Sequence, residues 1–285
     1  MNPERLIGRG SVALLIVAAS LFAGPAAAQD PGDTLVVAVP GTDITLVLAR
    51  IPAPEPLWMA VHEVTHDQYA PFRYRRLDSD ADAGAGSYDA DAVTRPSPPY
   101  EDPVHGMGKG SHPAGGMTRL AALRYARWLS EKAGRLFRLP TEAEWELACL
   151  AGGAGPFGIG VEADDLGSAA WYEANSRGAF HPVAEKRPNA WGLYDMHGNV
   201  AEWVMSGDPL ARGVVRGGAF DDPPDALRCD ARFEERAAWK RRDPQIPKSR
   251  WWNTDSPHVG FRIVSPARDY DLEEIRAYWA DLLGR

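Results

Sequence analysis

The most continuous apolar run comes first. Residues 11–23 (SVALLIVAASLFA) follow Arg5 and Arg9 and lead into small residues ending at Ala28. A positive start, a short apolar stretch and an A-x-A site predict a secretory signal peptide cut after Ala28. The run is shorter than the roughly 20 residues that span a bilayer, and no later segment is apolar enough to cross one. The mature chain, residues 29–285, is therefore expected to be exported, periplasmic or secreted, with no membrane span.

Beyond the leader the pattern shortens its period. Residues 34–51 (TLVVAVPGTDITLVLARI) alternate around Pro40-Gly41, which predicts a β-hairpin or meander. Leu57–Val61 reads as a strand. Thr65, with Gln68 three residues on, is a capping box that starts a short helix. Residues 119–133 carry the clearest helical period. Leu120, Leu123, Trp128 and Leu129 share a face, Thr118 caps the start and Gly134 ends it. Residues 135–140 (RLFRLP) read as a strand. Thr141 and Glu144 form a second capping box, opening a helix that bears Trp145, Ala148 and Cys149 and closes at Gly152 and Gly153. Residues 154–264 show only loops and short strands. Asp271 then caps an amphipathic helix with Leu272, Ile275, Trp279, Leu282 and Leu283 at helical spacing, expected to pack on its own domain. No internal repeat is present. The organisation predicted is a signal peptide (1–28), one α+β domain (29–268) and a C-terminal helix (269–285).

Composition sharpens this picture. With 28 Gly, 24 Pro and 10 Trp in 285 residues, the domain should be rich in turns held by aromatic anchors. Net charge is −8, and no basic patch is visible, which argues against a nucleic-acid partner. The acidic, Gly/Pro-rich stretch 78–103 reads as a solvated loop, with calcium binding as the alternative. His62-Glu-Val-Thr-His66 matches the H-E-x-x-H zinc pattern, which needs both histidines one turn apart on a helix. Here Thr65 caps the helix, so they should not converge. Cys149 reads as a buried inert thiol. A Cys149–Cys229 disulfide is the alternative that an oxidising compartment would permit.

Five segments together resemble the formylglycine-generating enzyme (sulfatase-modifying factor) family. They are Glu63-Val-Thr-His-Asp-Gln-Tyr69, Arg138-Leu-Pro-Thr-Glu-Ala-Glu-Trp-Glu146, Asn189-Ala-Trp-Gly-Leu-Tyr-Asp-Met-His-Gly-Asn-Val-Ala-Glu-Trp203, Val215-Arg-Gly-Gly-Ala-Phe220 and Val259-Gly-Phe-Arg-Ile-Val264. They fall in the family's order over residues 34–266. The resemblance implies the formylglycine-generating-enzyme fold: α+β, irregular, related to C-type lectins. It also implies oxidation of a substrate cysteine by oxygen at a copper ion held by two cysteines shortly after an Arg-Gly-Gly-Ser segment. Copper(I) is soft and selects thiolates. Here the first of those positions falls near Asp222, and Cys229 matches the second only with a longer loop. Ala219 replaces the usual Ser, and Ala201 a usual Trp. Formylglycine synthesis by the copper route is therefore not expected, Cys229 being the one catalytic candidate left.

The family's structural calcium site carries over better. The matching residues are Asp195, Gly198, Val200 and Glu202, two carboxylates and two carbonyls for an ion that takes about six to eight oxygens. Two classes of function follow. One is a binding or accessory module for a peptide, protein or glycan, its cleft drawn from Asn199, Arg216, Asp221, Asp222, Trp251, Trp252, Asn253, Asp255 and His258. The other is an oxidoreductase of altered metal chemistry, copper or non-heme iron, for which His181, His197 and His258 would have to meet beside Asp221 or Asp222.

Overall fold

The computed structural model describes residues 34–74, 96, 98–153, 155–158, 163–206 and 212–284. The signal-peptide reading and most of the acidic stretch 78–103 lie outside the described residues.

Strands β1 (Thr34–Ala38) and β2 (Thr45–Ile51) form the expected hairpin, with Val36 opposite Val47. Gly41 in its turn has φ +74°, a conformation that favours glycine. β2 pairs with β3 (Leu57–Ala60), and β3 with the late strand β8 (Val264–Pro266), giving an antiparallel sheet in the order β1-β2-β3-β8. A second sheet has the order β6-β5-β4-β7. Its strands are β4 (Ala201–Val204), β5 (Val214–Arg216), β6 (Phe233–Glu234) and β7 (Val259–Gly260). β4 is buried at every residue, antiparallel to β5 and parallel to β7.

The helices begin where the capping residues put them. α1 (His66–Tyr74) opens with Thr65 and Gln68 exchanging hydrogen bonds of 3.0 and 3.2 Å. α2 (Arg119–Ala133) runs from Thr118, whose Oγ1 accepts from Ala121 N, to Gly134 at φ 64°. Leu123 and Leu129 on it are fully buried, while Leu120 is only half-buried. α3 (Glu142–Leu150) carries the full Thr141–Glu144 capping box. Glu144 also takes a bidentate pair from Arg138 at 2.6 and 2.7 Å, which holds its carboxyl below the usual range against burial. α4 (Leu272–Leu283), capped by Asp271, lies on α2. Its Trp279 is buried, and Trp279 Nε1 donates to Ser130 Oγ at 3.3 Å.

Two local expectations are corrected. Residues 135–140 are not a strand. Only Arg138 bridges, exchanging hydrogen bonds of 2.9 and 2.8 Å with Val264. Phe137 N donates to Ser130 Oγ instead, and Pro140 has no N–H, so a longer ladder lacks donors. α3 closes on Ala151, at φ 46°, one residue before Gly152.

The largest apolar cluster joins the sheets to α1, α2 and α4, and Tyr69, Phe72, Tyr125, Trp128 and Phe261 pack ring against ring inside it. Trp251 and Trp252 belong to this core, at 2 and 3 % exposure. They do not rim a cleft. The tryptophans here anchor loops, because Gly/Pro-rich segments supply few apolar side chains of their own.

Candidate functional site

The segment Asp195–Val200 enters β4 through three left-handed residues, Asp195 (φ 55°), Gly198 (φ 74°) and Asn199 (φ 56°). At Gly198 a Cβ would fall 2.0 Å from Trp171 O, so only glycine fits. Asn199 is fully buried and joins three segments. Its N donates to Trp171 O (2.8 Å), its Oδ1 accepts from His181 N (2.9 Å), and its Nδ2 donates to Glu63 Oε1 (3.1 Å). It is a structural tie, not a cleft residue.

Behind this turn lies a buried ionic cluster. Arg262 and Glu202 are 0 and 1 % exposed in their side chains and pair at 2.6 Å. Arg262 also donates to Ala60 O and Tyr194 O, and Trp145 Nε1 donates to Glu202 Oε2 at 2.7 Å. Both Glu202 oxygens are therefore occupied, and Glu202 does not fit a calcium ligand as the resemblance implied. The carboxylate oxygens without donors are Glu63 Oε2 and Asp195 Oδ1, both buried. Burial and the neighbouring Asp195 and Glu202 push the Glu63 carboxyl well above the usual range, and burial raises Asp195 to about 6. Two buried carboxylates that repel each other coexist more easily with a proton or a cation to neutralise them. Asp195 thus fits a cation, with Glu63 rather than Glu202 as the second carboxylate.

His62 and His66 do not form a zinc pair. His62 precedes the helix, its Nδ1 2.7 Å from Glu63 O, and His66 is the first helical residue. Burial, then the charge of Arg73, pushes His66 down to about 4. A lowered histidine contributes stability that is complete above its unfolded value of about 6.5 and is lost as pH falls toward the folded value. Urea titrations of wild type and His66→Gln should therefore show the wild-type advantage shrinking between about pH 6.5 and 4. A difference that stays constant with pH would contradict this.

The two cysteines are bonded. Cys149 on α3 and Cys229 form a disulfide with sulfurs 2.06 Å apart, and both residues are buried. The expectation of an inert free thiol at Cys149 is corrected, as is that of Cys229 as a catalytic thiol. Apolar burial made Cys149 look self-sufficient, but the 80-residue separation is closed by the fold. Arg216 is also buried. It donates to Glu146 and to Cys229 O, each at 2.6 Å, and its guanidinium lies over Trp145.

The predicted cleft residues that do meet near the surface are Asp221, Asp222 and His258. His258 Nδ1 is 3.8 Å from Asp221 Oδ2, with side chains 25 and 50 % exposed. Ser256 Oγ stands 3.5 Å from His258 Nε2, and Trp239 packs edge-on against the imidazole. Asp222 accepts from Ala219 N at 2.9 Å, and burial beside Asp221 raises its carboxyl. Asp255 pairs with Arg242 at 2.6 Å, and Asn253 is fully buried. The three histidines of the iron reading do not gather. His181 stacks on Trp171 at 3.7 Å, and His197 is buried between Phe157 O and Leu227 O. Among the described residues the one group of three metal-ligating side chains is Cys149, His197 and Cys229, whose sulfurs are bonded to each other.

The sequence over most of the described domain matches a known class. The sulfatase-modifying factor enzyme 1-like domain covers residues 46–266, and the chain belongs to that family. The formylglycine-generating enzyme of Streptomyces coelicolor is 37% identical over 189 residues, 56% of this chain and 54% of the enzyme. That of Mycobacterium tuberculosis is 28% identical over 192 residues, 55% of this chain and 58% of the enzyme. The serine/threonine-protein kinase pkn1 of Chlamydia pneumoniae is 35% identical over 144 residues, 43% of this chain but only 21% of the kinase. The matches thus span about a fifth of that kinase and little more than half of the enzymes. Treponema denticola variable protein 1 shares the fold at a TM-score of 0.57 and 19% identity, over 82% of this chain and 99% of that one. PvdO from Pseudomonas aeruginosa does so at 0.51 and 22%, over 82% and 91%.

Proposed function

We propose that this chain is an exported binding or accessory module of its family that does not make formylglycine. The observation that carries the reading is the disulfide. The chain has 2 cysteines and both are in it, so the native protein has no thiolate pair to hold copper(I). A buried disulfide is also what an oxidising compartment allows, in keeping with the signal peptide read at residues 1–28. The surface group left for a ligand is His258 with Asp221 and Asp222, a polar, acidic group suited to a peptide or glycan rather than to nucleic acid. Calcium is assigned to the orphaned oxygens of Asp195 and Glu63, with the carbonyls of Gly198 and Val200 as the resemblance implies. A cation there would neutralise carboxylates that burial otherwise keeps from ionising together.

Metal analysis and a melting curve test this. Purified mature protein should carry calcium and no stoichiometric copper or iron. EGTA should lower Tm by several degrees, on the order of the 1–3 kcal/mol that a well-occupied site contributes by mass action. One iron or copper per chain would favour the oxidoreductase reading instead. A melt unmoved by EGTA would remove the calcium.

A further inference from the structure

Among the described residues the most exposed large apolar side chain is Ile246, at 97 %. It sits at the tip of the loop Asp243–Ser249, outside both sheets and every helix, and the loop is built to hold it there. The buried Asp243 carboxylate closes the neck, accepting from Gln245 N at 2.9 Å and from Ser249 N at 2.5 Å. The Lys248 ammonium crosses the same neck, donating to Arg241 O and Asp243 O. Ser249 Oγ accepts from Trp251 N and Trp252 N, both at 3.2 Å, which ties the loop to two tryptophans of the core. Pro244, Gln245, Ile246 and Pro247 are left outside this pinned base, all of them exposed. An isoleucine in water forgoes the stabilisation that burial gives, and a loop fixed at both ends does not fold it back.

The base is ringed by cations. Residues 236–250 (RAAWKRRDPQIPKSR) carry six Lys or Arg and one Asp, in a chain whose net charge is −8. That Asp, Asp243, is engaged in the neck, and Arg242 in its pair with Asp255. Arg241, Lys248 and Arg250 are exposed, and no carboxylate among the described residues pairs with them. Arg124 on α2 joins the group. Burial, then the charges of Arg127 and Arg250, holds it below its ordinary value, and its buried Nε has no acceptor among the described residues. Like charges gathered without anions repel one another, and a layer of anions supplied from outside relieves them.

We propose that this loop docks the protein on an anionic phospholipid surface. Ile246 enters the boundary between headgroups and acyl chains, while Arg241, Lys248 and Arg250 meet the lipid phosphates. An apolar tip with a basic collar is the combination that peripheral membrane binding uses, since neither a short insertion nor charge alone holds a protein firmly. A protein partner fits the shape less well. A specific protein interface covers about 800 Å² on each side around well-packed anchors. One projecting aliphatic side chain offers no such area, whereas a fluid bilayer closes round it. The negative balance of the chain as a whole makes other faces repel the same membrane, so the loop also sets the orientation. Docking of this kind needs no spanning segment, and it is independent of the ligand and the calcium proposed above.

The test is flotation of the mature protein, residues 29–285, with phosphatidylcholine vesicles prepared with and without phosphatidylglycerol. Binding is expected to the anionic vesicles only, and it should fall steeply as salt is raised. Ile246→Ser should lower the partition coefficient roughly 10-fold, and Arg241→Gln and Arg250→Gln about 5-fold each. The three side chains are exposed, so melting temperatures should stay at the wild-type value and the losses read binding rather than folding. Labelled poly-glutamate is titrated in parallel. Binding to poly-glutamate with none to vesicles would assign the patch to an acidic protein and overturn the membrane assignment. Equal binding to neutral and anionic vesicles, binding to neither, or an Ile246→Ser variant that floats like wild type would overturn it as well.

Discussion

Replacing Arg262 by alanine is expected to remove about 3–5 kcal/mol of stability, a large share of the roughly 5–15 kcal/mol that a domain holds in total. The guanidinium is fully buried and makes bonds of 2.6 to 3.2 Å to Glu202, Ala60 O and Tyr194 O. Its loss strands Glu202 in the interior without the guanidinium that pairs with it, beside Glu63 and Asp195. Urea unfolding should show the midpoint collapsing, and expression yield should fall with it. A paired replacement, Arg262→Met with Glu202→Met, should recover a large part of the loss, because two apolar side chains of similar volume need no counter-charge. A single-variant loss below about 1 kcal/mol would mean that the pair is not buried as described.

Removing the disulfide is the second large effect. For Cys149→Ala with Cys229→Ala, the loop closed across 80 residues gives an entropic stabilisation of about 4–5 kcal/mol. The bond also joins α3 to the segment after Leu227, so its loss should be felt in both. Urea midpoints of the double variant and of the oxidised wild type, compared at equal m, measure it. A change under about 1 kcal/mol would show that the flanking ties, Arg216 to Cys229 O and His197 to Leu227 O, hold the segment without it.

These two features were the least legible in the sequence. Helix starts were plain, because Thr65, Thr118, Thr141 and Asp271 each act on a backbone N–H within three residues. The β1–β2 hairpin was equally local. The disulfide was not, since spacing along the chain says nothing of Cα separation across the fold. Nor was the Arg262 pair, although an arginine inside the apolar run Val259-Gly-Phe-Arg-Ile-Val264 is a signal that a buried partner must exist. Trp251 and Trp252 were misplaced for a related reason: an aromatic pair beside polar residues looks the same in sequence whether it rims a cleft or plugs one. Of the cleft residues read from the sequence, only Asp221, Asp222 and His258 come together near the surface, because Asp221 and Asp222 follow the Gly217-Gly218 turn and His258 opens the parallel strand beside β4.

Family membership is compatible with the module we propose. The buried pair, the left-handed turn and the capped helices are parts of a scaffold, and a scaffold persists when a surface recess changes its side chains. Here Asp222 and Ala219 stand where the resemblance would place a soft-metal ligand and its hydroxyl neighbour.

The decisive measurement is a peptide oxidation assay. A peptide carrying a sulfatase cysteine motif is incubated with purified, disulfide-intact protein, copper and oxygen, and weighed by mass spectrometry. The cysteine is expected to come back unchanged; conversion to the aldehyde of formylglycine would contradict the assignment of this chain as a module without thiol-based copper chemistry.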